Sequence, residues 1–176
     1  MPAGIEEWVF GYVGEKLADK ILCMFRSDKF SSDLHSAVDQ WSKKLPSGAK
    51  LASTEALFPS HLSDSELEDR QNLIRLRSTI RGSVAPTSAD WEAALIEQWQ
   101  YVRKQVQDPQ AFFTLPKSEA ATHLGDLAKQ LAVVCAQHEP LFRSTAMILL
   151  REILSEIKEG PSKTDITGPN DRLLTE

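Results

Sequence analysis

Apolar residues recur along this chain at intervals of three and four, the spacing that places them on one face of an α-helix. A clear stripe follows Ser31 and Ser32, two residues suited to begin a helix, and consists of Leu34, Val38, Trp41 and Leu45. Pro46 and Gly48 then interrupt the pattern. Strict alternation of apolar and polar residues, which a half-buried strand would need, does not persist in any segment. The sequence therefore predicts an all-α fold.

Five or six helical segments account for most of the chain. They run over residues 5–30, 31–45, 63–82, 87–108 and 118–138, and a sixth is expected to start at Pro140 and stop before Gly160. Most connections are short, which favours antiparallel neighbours in one bundle. We therefore expect one bundle domain over residues 1–160. Residues 161–176 hold few large apolar groups and are predicted to form a disordered tail.

Local signals fix two of the helix starts. Ser63 and Glu66 have the spacing of a capping box, in which each side chain bonds the backbone of the other residue. Thr87 and Asp90 have the same spacing. Between the fourth and fifth segments, the loop 109–117 carries Phe112 and Phe113, which should pack against the bundle because the loop is too apolar to lie in solvent.

Charge argues against a nucleic-acid partner and hydropathy argues against a membrane. The 176 residues carry a formal net charge of -5, and both signs are interspersed without a basic stripe. The arginines at positions 70, 75, 77 and 81 share their segment with acidic residues and are interpreted as a salt-bridged, solvated face. No apolar run approaches the ~20 residues that a membrane-spanning helix needs. The start MPAGIEEWVF does not resemble a signal peptide, so a cytoplasmic location is expected.

The residue patterns typical of metal centres and of nucleophilic catalysis are weak. His35 and Asp39 share a helix face but have no second ligand pair, and His123 and His138 would need a third ligand from another helix. Cys135 lies three residues before His138, but its apolar neighbours should bury the thiol and keep it protonated. We therefore expect no metal, no cofactor and no catalytic residue, and the chain is interpreted as a non-enzyme.

The first segment is the best candidate for a contact surface. Its apolar stripe drifts around the helix, from Ile5, Trp8 and Tyr12 to a different face further along. This offers more apolar perimeter than one bundle-facing side requires. An interaction surface is therefore predicted at Trp8, Val9, Tyr12 and Val13, for another protein or for a second copy of this chain. The alternative is that this helix lies at the centre of the bundle, buried on several sides.

A second class of function stays open beside the interaction module. A helical bundle can also enclose a small molecule in a pocket lined by Trp and Phe, with weak enzymatic activity. An internal cavity with convergent polar groups would favour that class, whereas an exposed apolar patch would favour protein binding.

Two stretches, WSKKLPSGAKLASTEALFP and LGDLAKQLAVVCAQHEPLFRSTAMILLREI, resemble segments of uncharacterised bacterial helical proteins. The resemblance implies a helical fold and a bacterial origin. It implies no activity, ligand or site residue.

Overall fold

The apolar residues that are spaced three and four apart lie on helices, and the part of the chain that the structure describes contains no strand. A computed structural model describes residues 4–10, 29–51, 53–82 and 84–143. The α-helices are α1 (Ile5–Phe10), α2 (Lys29–Lys43), α3 (Ser53–Leu57), α4 (Asp64–Glu68), α5 (Gln71–Arg81), α6 (Ser88–Arg103) and α7 (Lys117–Gln137). Two 3₁₀ turns (Ala49–Leu51 and Phe112–Thr114) separate them, and residues 139–143 are again helical. The all-α prediction is confirmed.

The predicted stripes form the core. Leu34, Val38 and Trp41 of α2 are buried, and the stripe of α6 is buried at Trp91, Leu95 and Trp99. Residues from every described α-helix except α4 contribute to one buried cluster, and Leu67 of α4 packs against it while half-buried. The burial of these faces is the main source of stability for helices of this length, which are marginal alone in water.

Hydrogen bonds and ion pairs show two antiparallel helix pairs. On α2 and α7, Asp33 lies beside His138 just after the end of α7, while Trp41 reaches back to His123 near its start. On α5 and α6, Asn72 lies beside Glu97, and a cleft further along is lined by Arg75 and Leu76 of α5 and by Ala89, Asp90 and Ala93 of α6. In both pairs, residues that advance along one helix meet residues that recede along the other.

Both predicted capping boxes are present. The Ser63 hydroxyl accepts a hydrogen bond from the Glu66 backbone N–H, and the Glu66 carboxylate accepts one from the Ser63 N–H. These bonds to Ser63 lower the pKa of Glu66. Thr87 and Asp90 make the same reciprocal pair at the start of α6. The loop phenylalanines are also confirmed as core residues, because Phe112 and Phe113 are fully buried.

The predicted single helix over residues 63–82 is wrong, because it breaks at Arg70. In a continuous helix, the Arg70 N–H would bond the Glu66 carbonyl. Here the Arg70 guanidinium donates to that carbonyl instead, at 2.6 Å, and the Arg70 N–H turns to Leu67. The guanidinium also donates from Nε to Gln98 Oε1 at 2.7 Å. The expectation of a solvated Arg70 is corrected by the same contacts, which bury all but 7% of the residue.

Glu97 of α6 caps the helix that restarts after this break. Its carboxylate oxygens accept hydrogen bonds from the backbone N–H groups of Asn72 and Leu73, at 3.2 to 3.3 Å. These N–H groups belong to the first turn of α5 and have no partner within the helix. The negative carboxylate is also favoured at a helix N-terminus. Glu97, which is distant in sequence, thus caps α5 as Ser63 and Thr87 cap the helices that follow them.

The predicted start of the second helix at Ser31 or Ser32 is also wrong. The helix is already formed at Lys29, so both serines lie inside α2. Ser31 uses its hydroxyl to bond Glu6 of α1. The continuity of the first segment through residues 11–28, the sixth helix beyond residue 143 and the tail 161–176 all lie outside the described residues.

The cap of α6 gives a first prediction. Thr87→Ala removes the hydroxyl that accepts from Asp90 N–H and should lower the free energy of unfolding by ~1 kcal/mol. Thr87→Ser keeps an accepting hydroxyl and should stay near wild type. Urea unfolding followed by circular dichroism measures both. A Thr87→Ala midpoint equal to that of Thr87→Ser would contradict the role of the cap.

The break at Arg70 gives a second prediction. Arg70→Met leaves the Glu66 carbonyl and Gln98 Oε1 without their donor in a buried place, which should cost about 1–3 kcal/mol of stability. Arg75→Met is the matched control, because Arg75 lies in the helix that begins directly after Arg70 and is exposed. Urea unfolding of both variants tests this, and equal losses would show that the buried contacts of Arg70 contribute nothing specific.

Candidate functional site

Of the four residues in the predicted surface on the first helix, the structure describes two. Trp8 and Val9 are each only 1% exposed and belong to the core. The Trp8 ring meets the edge of Phe58 at a centroid distance of 5.3 Å. Arg77 donates two hydrogen bonds to the Trp8 carbonyl, from Nε and Nη2. Within the described part of this segment, the apolar side chains are therefore used inside the molecule. Tyr12 and Val13 lie outside the described residues.

A buried carboxylate attaches α1 to α2. Glu6 is 4% exposed, accepts a hydrogen bond from the Ser31 hydroxyl and lies 2.8 Å from His35 Nε2. His35 is thus engaged with Glu6, whereas Asp39, its proposed ligand partner, forms an exposed ion pair with Lys43. The cluster joins two helices through Glu6, whereas His35 Nδ1 is buried without a hydrogen-bond partner among the described residues.

The remaining histidines proposed as ligands have separate neighbours. His138 Nε2 lies 2.7 Å from Asp33 Oδ2, and the His138 ring packs edge-on against Phe30. The His123 ring packs against Phe112. Across the described ranges, no three His, Cys, Asp or Glu side chains are grouped so that they could hold a metal ion.

Cys135 shows how burial controls thiol chemistry. Burial raises the pKa of the Cys135 thiol to about 12, and a contact with Trp91 opposes this only in part. The reactive thiolate is therefore almost absent near neutral pH. His138, which the spacing of three residues could bring near this thiol, is bonded to Asp33 instead.

A cleft of about 410 Å³ runs between α2 and α7. Its centre is formed by Ala37, Val133 and Val134, and Asp33 and Gln137 lie at one end. Because the two helices are antiparallel, the opposite end of the cleft lies where the last turn of α2 meets the middle of α7. That end and the sides carry Ser36, Gln40, Lys44, Lys129 and Gln130.

Val133 is the most unusual residue of this cleft. It is 55% exposed, although its neighbours Leu131, Val134 and Cys135 are buried. Leu131, Val134 and Cys135 are spaced three and four apart on the core face, and Val133 lies one step (~100°) from Val134 and off that face. Val133 belongs to the apolar run around Cys135, which suggests burial, so the cleft was not predicted. The step off the core stripe is the signal that could have shown it.

The charges of the cleft are unevenly paired. Asp33 is held by His138, whereas Lys44 and Lys129 form no ion pair with any described residue. The cleft therefore carries an excess of uncompensated positive charge at its lysine end, on a chain whose formal net charge is -5. Three glutamine side chains add hydrogen-bond donors and acceptors along its length.

Comparisons with protein-family models, with curated proteins and with solved structures find no match to this chain. Among the described helices, none combines the length and the hydropathy that a membrane crossing needs.

The raised thiol pKa gives a third prediction. In a Cys23→Ser background, iodoacetamide at pH 8 should label Cys135 slowly in the native protein and rapidly in urea, because unfolding restores an ordinary thiol pKa. Mass spectrometry of timed aliquots measures the two rates. A native rate close to that of the unfolded chain would mean that the thiol is neither buried nor shifted.

Proposed function

We propose that this protein is a non-catalytic helical module that binds another protein through the face formed by α2 and α7. The observation that carries the proposal is Val133, a large aliphatic side chain held 55% exposed at the centre of a cleft. Single exposed apolar residues are common on any surface. This one lies in a concavity with polar groups along its sides, which is the arrangement of an apolar contact surrounded by a polar rim.

The non-catalytic part of the proposal is supported by how the reactive side chains are used. The Cys135 thiol has a pKa raised to about 12, and His35 and His138 are each bonded to a carboxylate of another helix. A nucleophile or general base has to be within reach of a substrate with a suitable pKa. These three residues serve helix packing instead.

The aromatic side chains support a protein partner over a small-molecule pocket. Trp41, Phe112 and Phe113 are packed edge to face on one another, with centroids 5.3 to 5.5 Å apart. Trp91 and Trp99 are buried as well. The cleft between α2 and α7 has no aromatic lining residue. The aromatic rings that could line a ligand pocket are thus packed inside the core.

The proposal predicts where a partner will be captured. A photo-reactive amino acid placed at position 133 should form a covalent adduct with a second protein when the full chain is irradiated in the cells that encode it. The same amino acid at position 84 is the control, because Val84 is similarly exposed (57%) and does not line the cleft. Denaturing electrophoresis and peptide mass spectrometry identify the adducts.

Two outcomes would contradict the proposal. If positions 133 and 84 give the same adducts, the cleft has no preferred partner. If position 133 captures no protein, the function lies elsewhere. An adduct made only of this chain would show self-association through the same face, which is the other form of the interaction module.

A further inference from the structure

Resting on the proposed function, we infer that the cleft between α2 and α7 takes an acidic amphipathic helix of a partner protein, about two turns long, with aliphatic side chains at its centre and carboxylates at one end. The inference rests on the length of the cleft, on its apolar centre and on the two lysines that no described residue neutralises.

The length follows from the spacing of the lining residues. On α7 they run from Lys129 to Gln137, and on α2 from Asp33 to Lys44. Eight residues of helix rise about 12 Å, which is slightly more than two turns. Within α7, Gln130, Val133, Val134 and Gln137 follow at intervals of three, one and three. This is one helix face, as a partner lying along the groove requires.

The apolar centre selects an aliphatic side chain on the partner. Val133 projects from α7 with over half its surface free, while Val134 and Ala37 beside it are each only 8% exposed. A Leu or Ile at two positions one turn apart would cover Val133 and reach these neighbours. Burying such a side chain is favourable in proportion to the apolar area removed from water.

The charges select acidic residues rather than basic ones. Lys44 and Lys129 lie at the same end of the cleft and pair with no described carboxylate, whereas Asp33 at the opposite end is bonded to His138. A partner carboxylate near Lys44 and Lys129 gains a charge-assisted contact, and a partner lysine there meets like charge. Each exposed ion pair of this kind contributes little binding free energy, so binding requires the apolar contact and the ion pairs together.

Labelled helical peptides of about 15 residues, long enough to be partly helical alone, test the inference with the full-length protein. All carry the same Leu pair at the centre, and the flanking turns carry Glu, Gln or Lys. Fluorescence anisotropy should show the Glu peptide binding about 5-fold more tightly than the Gln peptide and more tightly still than the Lys peptide. The preference should shrink as salt is added, because exposed charges are screened.

Variants of the protein separate the two contributions. Val133→Asp should weaken the Gln peptide by about 10-fold, the loss expected on removing a central apolar contact. It should weaken the Glu peptide by more, because the new carboxylate repels the peptide and lies one turn from Lys129. Lys44→Glu with Lys129→Glu should invert the order, so that the Lys peptide binds best. Val84→Asp, outside the cleft, should leave all affinities unchanged. Circular dichroism establishes that each variant is folded, and all substituted positions are exposed.

Each contrary outcome points to a different failure. Equal binding of the three peptides, no binding of any, or an order unaffected by the lysine reversal overturns the acidic partner. If the photo-reactive residue at 133 still captures another protein in that case, the docking face stands and only the partner chemistry is wrong. If sedimentation shows that wild type dimerises and Val133→Asp does not, the occupant is a second copy, which also overturns the inference.

Discussion

The burial of the four indole rings is the constraint on which the helical packing depends. Trp8, Trp41, Trp91 and Trp99 come from α1, α2 and α6 and are at most 2% exposed. Each indole removes on the order of 150–250 Å² from water, more than other side chains do. The N–H groups of Trp8 and Trp99 find no hydrogen-bond partner among the described residues, so apolar burial outweighs that cost. The Trp41 N–H is different, because it donates to the His123 carbonyl at 2.7 Å and fixes α2 against α7.

Polar side chains then decide where the helices break and restart, and this is what the sequence could only partly predict. At Ser63 and Thr87 the cap is local, because the two residues of each capping box lie three positions apart. The sequence alone therefore shows these two helix starts, and the structure has both boxes. At Arg70 the break depends on Gln98, and the restart depends on Glu97, both on α6. A bond between residues separated by 25 or more positions leaves no trace in local spacing. Leu67 and Ile74 lie seven positions apart, the spacing of two turns on one helix face, so local spacing predicts a single helix.

The same distinction applies to the first helix. A stripe that drifts around a helix indicates that two faces are apolar, but not what covers the second face. At Trp8, this chain supplies the cover itself, from Phe58 and from Arg77. Val133 is the reverse case, since its apolar neighbours in sequence suggest burial and its angular position on α7 places it outside. Composition and spacing identify apolar faces well, whereas the partner of each face is a property of the tertiary arrangement.

Most residues that line the cleft differ from those that fix α2 against α7. The Trp41 bond to His123 and the Asp33 contact with His138 set the register of α2 and α7 near the two ends of the pair. Of these four residues only Asp33 lines the cleft. Val133, Lys44 and Lys129 take part in none of these contacts, so their chemistry can change at little cost to the fold. A surface whose specificity residues are independent of the residues that position it suits a binding module, because affinity for the partner and stability of the bundle then depend on different side chains.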